Sequence, residues 1–241
     1  LTPTLTLTLT LNPTKVFVGG LMGGMLVFVF AGLCCQAVGN CAADVVQEVR
    51  QQFAEKPGIM DGSQLPDYSK CVSIVAAASL KEMRKPGLLA LGLPIFVGTF
   101  FRLFGGLQGK PLLGPMVLAG MLMVATICGI LMSLFLNNAG GAWDNAKKYA
   151  KQLGLNKTEK EHFDATVVGD TVGDPFKDTS GPVLNILIKL MSMVSLTVAP
   201  LLSHYEHDFQ FWYFGIVPLA IFVAITIVLG SPQVAHANAA P

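Results

Sequence analysis

The segment Val167–Pro182 carries three aspartates at a regular spacing. Asp170, Asp174 and Asp178 are four residues apart, so on a helix they would form one column of carboxylates. Like charges on one face repel each other, and a cation between them relieves that repulsion. Carboxylate oxygens suit Mg²⁺, which also takes water and substrate phosphate as ligands. Because the Lys177 ammonium group beside Asp178 would neutralise phosphate oxygens, the segment predicts a magnesium–phosphate site.

A structural interpretation of the same segment stays open. Aspartate, glycine, threonine and serine are common in turns and helix caps, so the segment is also compatible with a solvated loop before a membrane helix. Pro175 favours this interpretation, because proline often occupies the first position of a helix. A regular helix is then expected to begin near Pro175.

A second cluster lies in the sequence AGGAWDNAKKYA at residues 139–150. Asp144, Lys147 and Lys148 are spaced so that they share one helix face. Taken alone, this pattern is typical of an ordinary surface pair at a helix end. Its position next to an apolar run, however, places it on the same predicted side of a membrane as the aspartates.

Lys189 is an ionisable residue inside an apolar run, NILIKLM. It would lie about three helical turns beyond Asp178 on the same helix. An ionisable group at membrane depth is a functional candidate by default. The alternative is a lysine whose long side chain carries its ammonium group to the membrane surface.

Long apolar runs must position these residues. The 241 residues are 52% hydrophobic and 13% charged, whereas soluble domains carry about 25% charged residues. Five runs have the length that crosses a bilayer, so we predict an all-α membrane protein with a multi-span helical bundle in contact with lipid. The predicted spans are residues 16–38, 87–106, 112–136, 183–202 and 211–230.

The charged residues between the runs predict the topology. Lysine and arginine concentrate in residues 39–86 and 137–182, which are therefore predicted to be cytoplasmic. The formal net charge of +1 gives no reason to expect nucleic acid as a partner. Residues 1–13 are interpreted as a low-complexity stretch and residues 231–241 as a disordered tail. The five cysteines form no CxxC pair and are interpreted as structural.

Together these motifs resemble the C-terminal signature of one family, the membrane-integral pyrophosphatases. The resemblance covers roughly residues 12–202, and its motifs occur in the order that is typical of the family. The three longest motifs are GGAWDNAKKY at 140–149, GDTVGDPFKDTSGP at 169–182 and LNILIKLM at 184–191. The shorter ones are EVRQQF at 48–53, PDY at 66–68, and LKEM followed by PG within 80–87.

The resemblance implies a fold and an activity. Residues 14–230 would be the C-terminal membrane segment of a larger bundle of inner-ring and outer-ring helices, which works as a homodimer. The whole protein would couple magnesium-dependent hydrolysis of inorganic pyrophosphate, on the cytoplasmic side, to translocation of H⁺ or Na⁺. Which ion is pumped, whether K⁺ is required and which membrane holds the protein stay open.

The resemblance also implies residue roles. Magnesium or its water ligands would be held by Asp144, Asp170 and Asp174. Pyrophosphate would contact Lys147, Lys148 and Lys177. The attacking water would be positioned by Asp178 together with a second carboxylate, and an ionic gate would include Lys189.

Several motifs of that family have no counterpart in the 241 residues, among them the second water-holding carboxylate and the gate partners of Lys189. We therefore expect the chain in isolation to be inactive. Two other functions stay open, namely a non-catalytic truncated paralogue that serves as a scaffold, and a magnesium transporter. The lysines count against a transporter, because cations near the entrance would repel Mg²⁺.

Overall fold

The computed structural model describes residues 13–110 and 112–204, together with positions 217, 220, 221 and 224. These described residues are almost entirely helical and include no β-strand, which confirms the predicted all-α class. Within this described part of the chain, four helical stretches are long and apolar enough to cross a membrane. They are Pro13–Glu55, Tyr68–Leu107, Leu113–Gln152 and Lys160–Thr197.

The helices follow the apolar runs and extend beyond them. A 3₁₀ turn, Pro57–Ile59, follows the first helix, and a π-helical turn, Pro175–Ser180, joins the last two. In chain order the helices are α1 (Pro13–Glu55), α2 (Tyr68–Glu82), α3 (Arg84–Leu107), α4 (Leu113–Gln152), the single turn α5 (Leu155–Thr158), α6 (Lys160–Asp174) and α7 (Gly181–His204).

Four of the predicted spans coincide with parts of α1, α3, α4 and α7. The fifth predicted span, residues 211–230, lies outside the described residues apart from four positions. The predicted N-terminal stretch, apart from residue 13, and the predicted C-terminal tail also lie outside them.

The chain divides into two compact units, and α1 contributes residues to both. The first unit comprises Leu1–Phe30, Gly87–Phe135 and Gly181–Pro241. The second unit comprises Ala31–Pro86 and Leu136–Ser180. Of the predicted site residues, Lys189 belongs to the first unit and all the others belong to the second.

In the first unit, α1 and α4 pack with their backbones in contact. A Cβ atom at Gly19 or Gly23 of α1 would collide with the backbone of α4 at Val117 or Met121. Small residues at such crossings are typical of membrane helices, where close backbone approach supplies the packing energy. The core of this unit is apolar and includes the fully buried side chains of Leu26, Val27, Val97, Leu184 and Leu187.

In the second unit, a buried polar network fastens the turn after α1. Gln52 Nε2 donates to Glu48 Oε1 at 2.8 Å and to the Asp67 carbonyl at 3.1 Å, and Gln52 Oε1 accepts from the Asp67 N–H at 2.8 Å. The other Glu48 oxygen pairs with Lys70 Nζ at 2.8 Å, which lowers the pKa of the Glu48 carboxyl. Asp67 also caps α2 by accepting from the Lys70 N–H. The network therefore fixes where α2 begins relative to α1.

Candidate functional site

The aspartate segment is helical on both sides of its proline. Helix α6 runs without interruption from Lys160 to Asp174, so the expectation that a regular helix begins near Pro175 is wrong. The solvated-loop interpretation is also wrong, since the chain continues as a π-helical turn over Pro175–Ser180. Proline has no N–H to continue the α-helical bonding, and the helix changes its bonding pattern at this residue. Single π turns occur frequently at functional sites.

The three aspartates differ in their surroundings. Asp170 and Asp174 lie one turn apart in α6, whereas Asp178 lies in the wider π turn and departs from a regular column. The Asp170 side chain is 5% exposed, against 51% for Asp174 and 64% for Asp178. Asp170 is therefore the buried member of the group, and the other two carboxylates face outward.

Close packing of α4 on α6 brings the two predicted clusters together. A Cβ atom at Gly140 of α4 would lie only 2.5 Å from the Gly173 carbonyl oxygen of α6. Three residues later in α4, the indole ring of Trp143 packs on Gly173, and its centroid lies 6.1 Å from that of Phe176. No sequence pattern predicted these contacts of Gly140 and Trp143, although both residues lie in the motif GGAWDNAKKY.

The pair Lys147–Asp170 is the most buried ionic contact of the site. Lys147 Nζ donates to Asp170 Oδ2, and this hydrogen bond raises the pKa of the lysine. Oδ1 of Asp170 is buried and has no hydrogen-bond partner among the described residues. A buried acceptor without a partner loses its solvation and gains nothing in return. Asp170 Oδ1 is therefore suited to a cation that approaches from the site.

Lys177 is the centre of a second, more exposed set of contacts. Its Nζ lies 3.0 Å from Asp144 Oδ2, 3.4 Å from Asp174 Oδ1 and 3.7 Å from Asp178 Oδ2. Lys148 Nζ also donates to Asp144 Oδ2, at 2.8 Å. The hydrogen bonds from Lys148 and Lys177 lower the pKa of Asp144 to about 2. The carboxylates in turn raise the pKa of Lys177, with Asp144 as the largest cause.

The donor set fits a magnesium ion that shares its shell with a phosphate substrate. Mg²⁺ takes one or two protein carboxylates and completes its octahedral shell with water and phosphate oxygens. Asp170 Oδ1 offers a free buried oxygen, and Asp174 offers an exposed carboxylate one turn away. In the described part of the chain, no group of three or more Asp, Glu, His or Cys residues is arranged to enclose a metal ion. Metal binding at this site would therefore require ligands in addition to the carboxylates of Asp170 and Asp174.

Two further residues complete the description. Lys189 is exposed in α7 of the first unit and forms no ion pair within the described residues. Cys35, interpreted from the sequence as structural, has its Sγ atom 3.0 Å from the Oγ atom of Ser180, which ends the π turn and is fully buried. These two residues are 145 positions apart, so no local pattern could have revealed the contact.

A sequence model of the family described as "Inorganic H+ pyrophosphatase" matches residues 3–198. The chain belongs to this family. The predicted resemblance is therefore confirmed, and with the four long apolar helices it makes the chain part of an integral, multi-pass membrane protein.

Individual relatives agree with the family match. "Pyrophosphate-energized membrane proton pump 3" of Arabidopsis thaliana is 56% identical over 187 residues, which cover 78% of this chain and 23% of the relative. "K(+)-insensitive pyrophosphate-energized proton pump 2" of Moorella thermoacetica is 48% identical over 187 residues, or 78% of this chain and 26% of the relative. "Putative K(+)-stimulated pyrophosphate-energized sodium pump" of Clostridium tetani is 49% identical over 192 residues, or 80% and 27%. The chain thus spans about a quarter of the length of these relatives.

Proposed function

We propose that this chain supplies one half of the substrate site of a pyrophosphate-energised ion pump. The protein would hydrolyse inorganic pyrophosphate with Mg²⁺ on the cytoplasmic side and move H⁺ or Na⁺ across the membrane. One observation carries the proposal: the packing of α4 on α6 and on the π turn brings four aspartates and three lysines into two sets of ionic contacts, Lys147 with Asp170 and the set around Lys177. The names of the relatives supply the substrate class.

A site that contains both carboxylates and ammonium groups suits an anionic substrate that binds together with a metal cation. Without substrate, the lysines neutralise the aspartates, as in the pairs Lys147–Asp170 and Lys177–Asp144. When pyrophosphate enters, its oxygens would compete for the ammonium groups of Lys147, Lys148 and Lys177. This exchange would release the carboxylates of Asp144, Asp170 and Asp174 to hold the accompanying metal or its waters. Magnesium, when bound, would withdraw electron density from the phosphate and neutralise its oxygens.

Asp178 is the proposed catalytic residue. Its carboxylate is the most exposed of the four, and its nearest cation, Lys177, is 3.7 Å away. It is therefore free to accept a hydrogen bond from a water molecule, orient that water toward phosphorus and accept its proton. General-base catalysis of this kind contributes about 10²–10⁴-fold to a rate. A second carboxylate from outside this chain would share the water.

Lys189 is the proposed contribution to an ionic gate. It lies in α7, which follows the π turn directly in the chain. A charged ammonium group in a membrane-spanning helix requires a partner, and none is present within the described residues. We propose that the partner is a carboxylate on another helix of the complete pump, which would act as a homodimer.

The test is to reconstitute the protein that contains this chain into lipid vesicles. Phosphate release and ion uptake would be followed with and without Mg²⁺, Na⁺ and K⁺, because the relatives include both K⁺-insensitive and K⁺-stimulated pumps. We expect magnesium-dependent phosphate release coupled to ion uptake, and no hydrolysis by the 241 residues purified alone. Magnesium flux without phosphate release would favour the transporter alternative, and neither activity would favour the scaffold.

A further inference from the structure

The contact between α4 and α6 leaves no room for a side chain at its centre. A Cβ atom at Gly140 would lie 2.5 Å from the Gly173 carbonyl oxygen, 2.7 Å from Lys177 Cβ and 2.9 Å from Lys177 N. Real Cβ atoms do not approach backbone atoms so closely, so any larger residue would push the helices apart. Gly140 therefore sets the distance between α4 and the segment that carries the aspartates.

Trp143 sets the position of α4 along α6. A Cβ atom at Gly169 would lie 3.4 Å from Trp143 Cδ1, and one at Gly173 would lie 3.0 Å from Trp143 Cε3. The indole ring thus rests on the two glycines that lie one turn apart in α6. The indole ring also lies beside the ring of Phe176 in the π turn, and the two ring planes are inclined at 35° to each other.

The contact of Trp143 with Gly169 and Gly173 lies next in sequence to the residues that form the ionic contacts. Trp143 is adjacent to Asp144 and is four residues before Lys147, so the indole ring and the Lys147 side chain share one face of α4. Gly169 is adjacent to Asp170 in α6. Since the rise per residue in an α-helix is about 1.5 Å, a slip of only two residues would separate the charged atoms by about 3 Å more.

We infer that Trp143, seated on Gly169 and Gly173, is a positioning residue that sets the register in which Lys147 meets Asp170 and Asp144 meets Lys177. The inference deepens the proposed function, on which its kinetic readout rests. Trp143 is not proposed to contact substrate or metal. It acts through the ammonium and carboxylate groups that it brings together.

Two adjacent glycines provide a matched pair of variants in the complete pump. Gly140→Ala places a methyl group into the helix contact, whereas a Cβ atom at Gly141 meets no atom within 4 Å. We expect Gly140→Ala and Trp143→Ala to raise the KM for magnesium pyrophosphate and to lower kcat/KM about 100-fold, as a misplacement of about 1 Å can do. Gly141→Ala should leave both parameters unchanged, and Trp143→Phe should recover most of the loss.

A second readout does not depend on hydrolysis. The coupling between Lys147 and Asp170 is measured from the unfolding temperatures of Lys147→Met, Asp170→Asn and the double variant. We expect coupling in the wild-type and Gly141→Ala backgrounds, and its loss in the Gly140→Ala and Trp143→Ala backgrounds. If coupling and KM both survive in those two backgrounds while only the unfolding temperature falls, Trp143 is a packing residue and the inference is wrong. If the wild-type protein shows no hydrolysis, the proposed function is wrong. The coupling between Lys147 and Asp170 would still test whether Trp143 sets the register of α4 on α6.

Discussion

Lys177 Nζ lies 3.0 Å from Asp144 Oδ2, although 33 residues separate them in the chain. This contact joins the α4 motif to the π turn that follows α6, and Asp144 also accepts a hydrogen bond from Lys148. One carboxylate is thus held by two ammonium groups from two segments. The two motifs behave as one electrostatic group, and substitutions in either segment should affect the other.

The first prediction concerns the pH dependence of stability. The pKa of Asp144 falls from 3.8 to about 2 in the folded protein, because Lys148 and Lys177 stabilise the ionised carboxylate. A lowered folded-state pKa contributes stability above the unfolded pKa, and this contribution is lost as pH falls from about 4 to about 2. Wild type should therefore unfold at a higher temperature than Asp144→Asn at neutral pH.

The difference between these two proteins should shrink as the pH falls through that window. Thermal unfolding of both proteins in detergent, measured across the acidic range, checks the prediction. A difference that stays constant with pH would show that the ionised form of Asp144 receives no net stabilisation from its lysines.

The second prediction separates two neighbouring lysines. Lys147 pairs with the buried Asp170. Lys148 is 64% exposed, and its partner Asp144 would still pair with Lys177 if Lys148 were replaced. Lys147→Met should lower the unfolding temperature clearly, because it leaves a buried carboxylate without its counter-charge. Lys148→Met should have little effect, as is usual for exposed pairs.

A compensating variant checks the cause of that loss. Asp170→Asn in the Lys147→Met background removes the unpaired charge and should recover part of the unfolding temperature. If the double variant is less stable than Lys147→Met alone, the loss arises from packing of the lysine side chain rather than from the buried charge.

The third prediction concerns the turn after α1. Gln52 is buried and forms hydrogen bonds with Glu48 and with both backbone groups of Asp67, whereas within the described residues the side chain of its exposed neighbour Gln51 bonds only to Glu55. Gln52→Ala leaves buried polar groups without partners, which costs roughly 1–3 kcal/mol. We expect faster proteolytic cleavage within residues 56–67 in this variant, while Gln51→Ala should be cleaved at the wild-type rate. Equal rates for both variants would contradict a fastening role for Gln52.

The helices could be predicted from the sequence because runs of apolar residues encode them locally. Runs of apolar residues with few charges predicted helices that overlap α1, α3, α4 and α7. The types and spacing of the aspartates and lysines identified candidate residues, and the structure shows ionic contacts among those of α4, α6 and the π turn. Their pairing was not predictable, since it depends on the tertiary contact of Gly140 with Gly173.

Pro175 shows where local reasoning fails. Proline is typical of a helix start, but the chain before Pro175 is already helical because α6 extends to Asp174. A helix can pass through proline when its bonding pattern widens, and the π turn at Pro175–Ser180 does this. The contact of Ser180 with Cys35 depends on the same tertiary packing, so no sequence pattern indicated it.

The last prediction separates metal binding from catalysis within one row of aspartates. Asp170 is buried and its Oδ1 atom has no hydrogen-bond partner among the described residues, whereas Asp178 is exposed within the π turn. In the complete pump, Asp170→Asn should raise the Mg²⁺ concentration that gives half-maximal hydrolysis by about 10–100-fold, the usual effect of losing a group that supports a metal site. Asp178→Asn should instead lower kcat by about 10²–10⁴-fold with the Mg²⁺ requirement unchanged, because it removes a proton acceptor. Phosphate release measured over a Mg²⁺ titration at saturating pyrophosphate distinguishes the two. If both variants shift the Mg²⁺ requirement equally, Asp178 is a metal ligand, and the water-positioning role belongs to a residue outside this chain.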